Sequence, residues 1–67
     1  MASIGVAIRR LRNAAGLTQE EVARRAKLSH GYYQRLEMGR HDPPLSTLRA
    51  IAKALGVPAA KLLEDER

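Results

Sequence analysis

The chain has 67 residues and a formal net charge of +5, with 12 Lys and Arg against 7 Asp and Glu. A chain of this size buries only about 60% of its unfolded surface, which leaves little room for an enclosed active site. Without cysteine it has neither disulfides nor thiolate metal ligands, and two separate histidines make a poor metal cage, so we expect no metal and no cofactor.

The first predicted helix is marked by a single apolar stripe. Its residues recur with helical spacing and are Ile4, Ala7, Ile8, Leu11 and Ala15. Gly16 follows the stripe and is the residue type that ends helices in the left-handed conformation. The pattern therefore predicts one amphipathic helix that ends before Gly16.

A helix start signal follows directly. Thr18 and Glu21 have the spacing of a capping box, and Leu17 and Val22 stand at the two positions of a hydrophobic staple. The second helix is therefore predicted to start at Thr18.

The same signal returns only eleven residues later. Ser29 is the cap residue of this second copy, with Leu28 and Tyr33 in the staple positions. The helix that starts at Thr18 then has only about two turns, and a connection of about three residues joins it to the next. This arrangement predicts a helix-turn-helix over about residues 18–37.

The last third of the chain predicts two more helices. The segment RHDPP is a turn and a helix breaker, and a second apolar stripe follows it, ended by Gly56 and formed by Leu45, Leu48, Ile51, Ala52 and Leu55. Pro58 is placed to open a short last helix, and residues 64–67 are predicted to be a frayed tail. The expected fold class is therefore all-α, with five helices in a single domain over residues 1–67.

The positive charge is concentrated in the first part of the chain. Residues 1–41 contain eight Lys and Arg against three Glu, whereas residues 42–67 contain four of each sign. Such an excess favours a polyanionic partner, although a solvated basic surface has the same composition. With no apolar run near the ~20 residues of a membrane span and no signal peptide, we expect a cytoplasmic protein without membrane contact.

Three stretches resemble a known family, the phage-repressor and Cro-like helix-turn-helix proteins, also called the xenobiotic-response-element family. They are IRRLRNAAGLTQEEVA, SHGYYQRLEMGR and PPLSTLRAIAKALGV, and the resemblance that runs through them extends over nearly the whole chain. The resemblance implies a compact, lambda-repressor-like domain that binds double-stranded DNA. Two residues depart from the family pattern. Lys27 replaces the usual glycine of the turn, and Tyr33 replaces the usual Ile or Val, so we expect a strained turn and a tyrosine ring in the core whose hydroxyl reaches a partner or the surface.

The family places the helix that starts near Ser29 in the DNA major groove. By position, the resemblance assigns base contacts to His30, Gly31, Tyr32 and Arg35. Arg35 has the strongest chemistry of its own, since a guanidinium donates two hydrogen bonds to guanine O6 and N7. Arg35 could instead contact a phosphate or remain solvated, and Tyr32 could simply pack at the surface. His30 could contact a phosphate or be an exposed residue at the helix start.

The resemblance also implies a set of phosphate contacts. Gln19 matches the family's phosphate-binding glutamine at a helix start. The other candidates flank the same face or match family positions, and they are Thr18, Arg10, Lys27, Gln34, Met38, Arg40 and His41.

Two further roles follow from the resemblance. Arg12 and Glu37 match a partly buried ion pair that ties the first helix to the end of the third. The dimer contact is placed near the last two helices, with Val57, Pro58, Leu62 and Leu63 as candidates, although the two leucines could instead both be core.

The residues contain no arrangement typical of catalysis, so we do not expect an enzyme. The leading interpretation is a sequence-specific transcriptional regulator, repressor-like, that binds a pseudo-palindromic operator as a homodimer. The main alternative is a protein-binding helix-turn-helix module, such as an antitoxin or a coactivator component, and a partner protein is possible under either reading. A basic helix lying on a membrane is a weaker third option, because the first apolar stripe is more simply core.

Overall fold

The structure, a computed structural model, describes residues 4–63. It consists of five α-helices: α1 Ile4–Ala14, α2 Gln19–Arg25, α3 His30–Glu37, α4 Leu45–Leu55 and α5 Ala60–Leu63. No strand occurs in this range. The all-α prediction is confirmed, while the predicted fraying of residues 64–67 lies outside the described residues, and a single domain over residues 1–67 stays a prediction.

Both predicted helix starts are present. The Thr18 hydroxyl accepts a hydrogen bond from the Glu21 N–H at 3.1 Å, and the Glu21 carboxylate accepts one from the Thr18 N–H at 2.9 Å. The Ser29 hydroxyl accepts one from the Tyr32 N–H at 3.2 Å. Because these bonds satisfy backbone donors that a helix start leaves free, they determine where α2 and α3 begin.

The turn between α2 and α3 depends on Lys27. Its φ of 60° lies in the left-handed region, where it is the only non-glycine residue among residues 4–63. This geometry lets the Leu28 N–H donate to the Ala23 carbonyl at 2.8 Å, which closes α2. The expected left-handed position is confirmed.

Replacement of Lys27 by glycine should therefore stabilise the domain by several tenths of a kcal/mol or more. Glycine removes the strain of the left-handed conformation, and the flexibility that it adds to the unfolded chain offsets part of this gain. Urea denaturation of Lys27→Gly and of the control Lys27→Ala, which keeps Cβ and loses the charge, separates backbone strain from side-chain effects. A clear loss of stability in Lys27→Gly alone would contradict the strain argument.

The core lies where the five helices meet. α1 packs against α3, α4 and α5, while α2 packs against α3 and α4. The largest fully buried side chains come from all five helices and are Ile8, Val22, Tyr33, Leu36, Ile51 and Leu62. Helix packing is therefore the main source of stability.

The burial pattern corrects two expectations about leucines. Leu62 has no exposed surface, so it belongs to the core and not to a dimer interface. The apolar stripe predicted Leu45 to be buried, but its side chain is 54% exposed. Leu45 is the first residue of α4 and lies at the end of the helix. Ala54, which lies off the predicted stripe, is buried instead.

Helix α1 crosses the end of α3 at Gly5. A Cβ atom at this position would lie 2.4 Å from the Leu36 carbonyl oxygen and 2.7 Å from that of Glu37. These distances are far shorter than any real contact, so the two backbones approach this closely only because residue 5 has no side chain.

Candidate nucleic-acid interface

Helix α3 carries all four predicted base-contact residues. His30, Gly31 and Arg35 are exposed, and Tyr32 is half-buried with its ring packed against the core. On the opposite side of the helix, Tyr33 and Leu36 are fully buried. Burial of that side orients α3 so that its other side is open to a ligand.

Arg35 is held by a residue from the loop that follows α3. Its Nε donates a hydrogen bond to Nε2 of His41 at 3.1 Å. The His41 ring also lies against Tyr32, with ring centroids 5.9 Å apart and a tilt of 36°. On its other side, Nη1 of Arg35 lies 3.5 Å from the place where a Cβ on Gly31 would be. We call Gly31, Tyr32, Arg35 and His41 the reading cluster.

A groove of about 430 Å³ lies between the start of α2 and His30, the first residue of α3. It brings two predicted phosphate-contact residues, Thr18 and Gln19, next to the predicted base-contact residue His30. The complete lining is Arg12, Leu17, Thr18, Gln19, Glu20 and His30. The helix-turn-helix therefore places the two kinds of candidate contact side by side.

The predicted ion pair between α1 and α3 is present. Arg12 Nε donates to Glu37 Oε2 at 2.6 Å, and Arg12 Nη2 donates to Glu37 Oε1 at 3.2 Å. The third nitrogen of the guanidinium, Nη1, donates to the Leu17 carbonyl at 2.9 Å. The Glu37 side chain is only 2% exposed and that of Arg12 is 13% exposed, so water contributes little to the solvation of the carboxylate.

Gln19 is connected to this ion pair, which the sequence did not indicate. Its Nε2 donates to Glu37 Oε1 at 3.0 Å, and its Oε1 accepts a weak bond from Gln34 Nε2 at 3.4 Å. A primary amide has two N–H donors, so one remains for a ligand. Glu37 thus holds in place the side chain that is predicted to meet a phosphate.

Burial and hydrogen bonds act on the pKa of Glu37 in opposite directions. Burial alone would raise the pKa of Glu37, but the neighbouring groups, Arg12 above all, outweigh burial and hold the pKa below its usual value. Burial raises the pKa of Tyr33, and the adjacent Glu37 carboxylate raises it further. The Tyr33 ring is in the core as predicted, but its buried hydroxyl makes no hydrogen bond of regular geometry and does not reach the surface.

The remaining candidate residues lie at the surface. Lys27, Met38 and Arg40 are exposed around the turn and the end of α3, and Arg10 is exposed on α1. Of the dimer candidates, Val57 is half-buried, while Pro58 and Leu63 are exposed. Residues 4–63 contain no group of three or more His, Asp or Glu side chains placed to hold a metal, and none of their helices is long and apolar enough to cross a membrane.

Comparison with known proteins decides the family. The sequence pattern of the helix-turn-helix domain family matches residues 3–64. The chain belongs to this family. The immunity repressor protein of Bacillus phage phi105 is 38% identical over 64 residues, and the HTH-type transcriptional regulator y4dJ of Sinorhizobium fredii is 45% identical over 60 residues. The resemblance to phage repressors is confirmed, and these relatives are named as regulators of transcription and not as enzymes.

The chain also superposes on solved structures of other helix-turn-helix proteins along most of its length. The restriction-modification controller protein C.AhdI from Aeromonas hydrophila superposes with a TM-score of 0.85 at 32% identity, covering 88% of this chain and 89% of C.AhdI. The clp gene regulator ClgR from Corynebacterium glutamicum gives a TM-score of 0.86 at 35% identity, covering 90% of this chain and 64% of ClgR. The matched region is 96% of this chain but 44% of the phi105 repressor, and 90% of this chain and 78% of y4dJ.

Proposed function

We propose that the chain binds a specific double-stranded DNA sequence and regulates transcription, as a repressor-like protein, from the cytoplasm. The observation that carries the proposal is the reading cluster, which α3 and the loop after it form, together with the groove between the start of α2 and His30. This is the arrangement in which a helix-turn-helix sets one helix in the major groove while the other meets the backbone. The net charge of +5 is consistent with a polyanionic ligand.

In this proposal the two elements have different tasks. Arg35 reads a base through its terminal guanidinium nitrogens, with His30, Gly31 and Tyr32 at neighbouring base edges. Gln19 and the backbone N–H groups at the start of α2 bind a phosphate. The exposed cations and polar groups around this face add backbone contacts, and they are Arg10, Thr18, Lys27, Gln34, Met38 through its N–H, Arg40 and His41.

The bound form is proposed to be a homodimer on a pseudo-palindromic operator. A single helix-turn-helix buries too little surface for tight and specific binding, so two copies are required. Val57, Pro58 and Leu63 are the interface candidates that retain exposed surface. Half-sites should lie about 10 base pairs apart, so that both α3 helices enter successive major grooves on one side of the DNA.

Selection of bound sequences from a random DNA pool tests the proposed function directly. A two-fold symmetric motif, with a footprint long enough for two half-sites, is the expected result. A protein-binding helix-turn-helix module is the alternative, and it should enrich no motif. If the selection enriched no motif, the proposed sequence-specific DNA binding would be wrong.

Alanine substitutions should separate base reading from backbone binding. Arg35→Ala is expected to weaken the selected operator by about 1–3 kcal/mol, to affect random DNA much less, and to relax one symmetric pair of positions. Gln19→Ala should weaken both DNAs by similar amounts, because a phosphate contact carries no sequence information. Fluorescence anisotropy titrations at fixed salt provide these affinities.

The salt dependence provides the control for this pair of variants. Gln19 is neutral, so its loss should leave the slope of log K against log salt almost unchanged. Lys27→Ala or Arg40→Ala should lower that slope by about one for each phosphate that the cation meets. Equal losses on operator and random DNA for Arg35→Ala, with base preferences intact, would show that Arg35 binds a phosphate.

A further inference from the structure

We propose that His41 is a positioning residue: its neutral imidazole orients the guanidinium of Arg35 for reading a guanine, and protonation of His41 releases it. This inference rests on the proposed function, since it concerns how the DNA sequence is read. It gives the neutral form of His41 a role other than the phosphate contact, which is left to the protonated form. The contacts of the reading cluster carry the argument.

The hydrogen bond from Arg35 to His41 uses Nε, the guanidinium nitrogen that is not needed when Nη1 and Nη2 both donate to a guanine. Arg35 donates to His41 through Nε. Nη1 and Nη2 therefore stay available for the pair of hydrogen bonds to guanine O6 and N7. Nη1 lies over Gly31, where the absence of a side chain leaves the approach to the helix open. His41 thus holds the guanidinium at Nε and leaves Nη1 and Nη2 for the base.

His41 is itself held against α3. Its ring packs on Tyr32, whose own ring packs on the core, so the acceptor nitrogen has a support that a freely rotating loop side chain lacks. Holding Arg35 in advance reduces the side-chain entropy that is lost when the arginine binds a base. The expected consequence is stronger discrimination at one base pair.

The contact requires a neutral imidazole. A neutral ring has one acceptor nitrogen, but a protonated ring has two donors and none. The groups that face His41 are Arg35 and Tyr32 of α3, and its chain neighbours are Arg40 and Asp42. A second positive charge beside Arg35 would repel the guanidinium and would itself be available to a phosphate.

Substitution of His41 tests the positioning role at about pH 8, where imidazole is mainly neutral. His41→Gln supplies an amide oxygen at similar reach and should keep the wild-type preference for guanine. His41→Ala should reduce that preference about threefold to tenfold, the effect of losing one hydrogen bond. Affinities are measured on the selected operator and on operators in which only the base pair read by Arg35 is changed, and circular dichroism checks that each variant is folded.

The pH dependence gives a second readout that a structural role would not change. At about pH 5.5 the wild type should lose more guanine preference than His41→Gln, and its salt slope should rise by about one more than that of the variant. His30 is present in both proteins, so the difference between the two responses belongs to His41.

Two results would overturn the positioning role. The first is an unchanged guanine preference in His41→Ala, with operator and random DNA weakened equally. The second is an identical pH response in the wild type and His41→Gln. Both results leave specific DNA binding intact, whereas failure of the proposed function would appear earlier, as no motif in the random-pool selection.

Discussion

Gly5→Ala is expected to lower the unfolding free energy by about 3 kcal/mol or more, enough to unfold much of a domain whose total stability is roughly 3–10 kcal/mol. The new methyl group would lie 2.4 Å and 2.7 Å from the carbonyl oxygens of Leu36 and Glu37. Both atoms belong to the backbone, so no side-chain rotation relieves the clash and α1 must move away from α3. The better helix propensity of alanine offsets only about 1 kcal/mol.

Gly31→Ala is the matched control for this substitution. It also places alanine in a helix, but its methyl group would meet only Nη1 of Arg35 at 3.5 Å, an ordinary contact. Gly31→Ala should therefore be neutral or slightly stabilising in thermal and urea denaturation. If the two variants were equally stable, the close crossing of α1 and α3 would not exist as described.

Arg12→Met is expected to cost about 3 kcal/mol at neutral pH. The substitution leaves the nearly fully buried carboxylate of Glu37 without its charged partner, and removing one partner of a buried pair is much more costly than losing a surface ion pair. Glu37→Gln should cost less, because Arg12 is the more exposed partner and keeps its bond to the Leu17 carbonyl. Urea denaturation measures both variants, and the double variant completes a mutant cycle.

The contribution of the Arg12–Glu37 pair to the free energy of unfolding should decrease as the pH falls. In the wild type the pKa of Glu37 is held below its ordinary value of about 4.3, so the contribution of the pair is complete above that value and is lost as pH falls through the folded-state pKa. In Arg12→Met burial should raise the pKa of Glu37 instead, so protonation relieves the unpaired charge. The stability difference between the two proteins should shrink as the pH is lowered from 7 toward about 4. Small, additive and pH-independent losses would mean that both residues are ordinary surface charges.

Sequence alone determined the features that depend on a few neighbouring residues. A capping box needs only Thr18 and Glu21 in the correct spacing, and a left-handed helix end needs only a suitable residue such as Gly16 or Gly56. Helical periodicity identified Ala7 and Ile8 of α1 and four of the five buried residues of α4, because the side of a helix that packs must be apolar. The Arg12–Glu37 pair lies 25 residues apart in sequence and came from family resemblance, since no local pattern links two such positions.

Tertiary structure alone decided where helices approach and which side chains meet across them. Gly5 meets the backbone carbonyls of Leu36 and Glu37, which are 31 and 32 residues away in sequence. Leu62 and Leu63 are equally apolar neighbours, yet the orientation of α5 buries the first completely and leaves the second 45% exposed. The bonds from Gln19 to Glu37 and from Arg35 to His41 likewise join separate elements. Local sequence specifies the conformation of each segment, whereas these contacts depend on the relative placement of segments, which only the packed core provides.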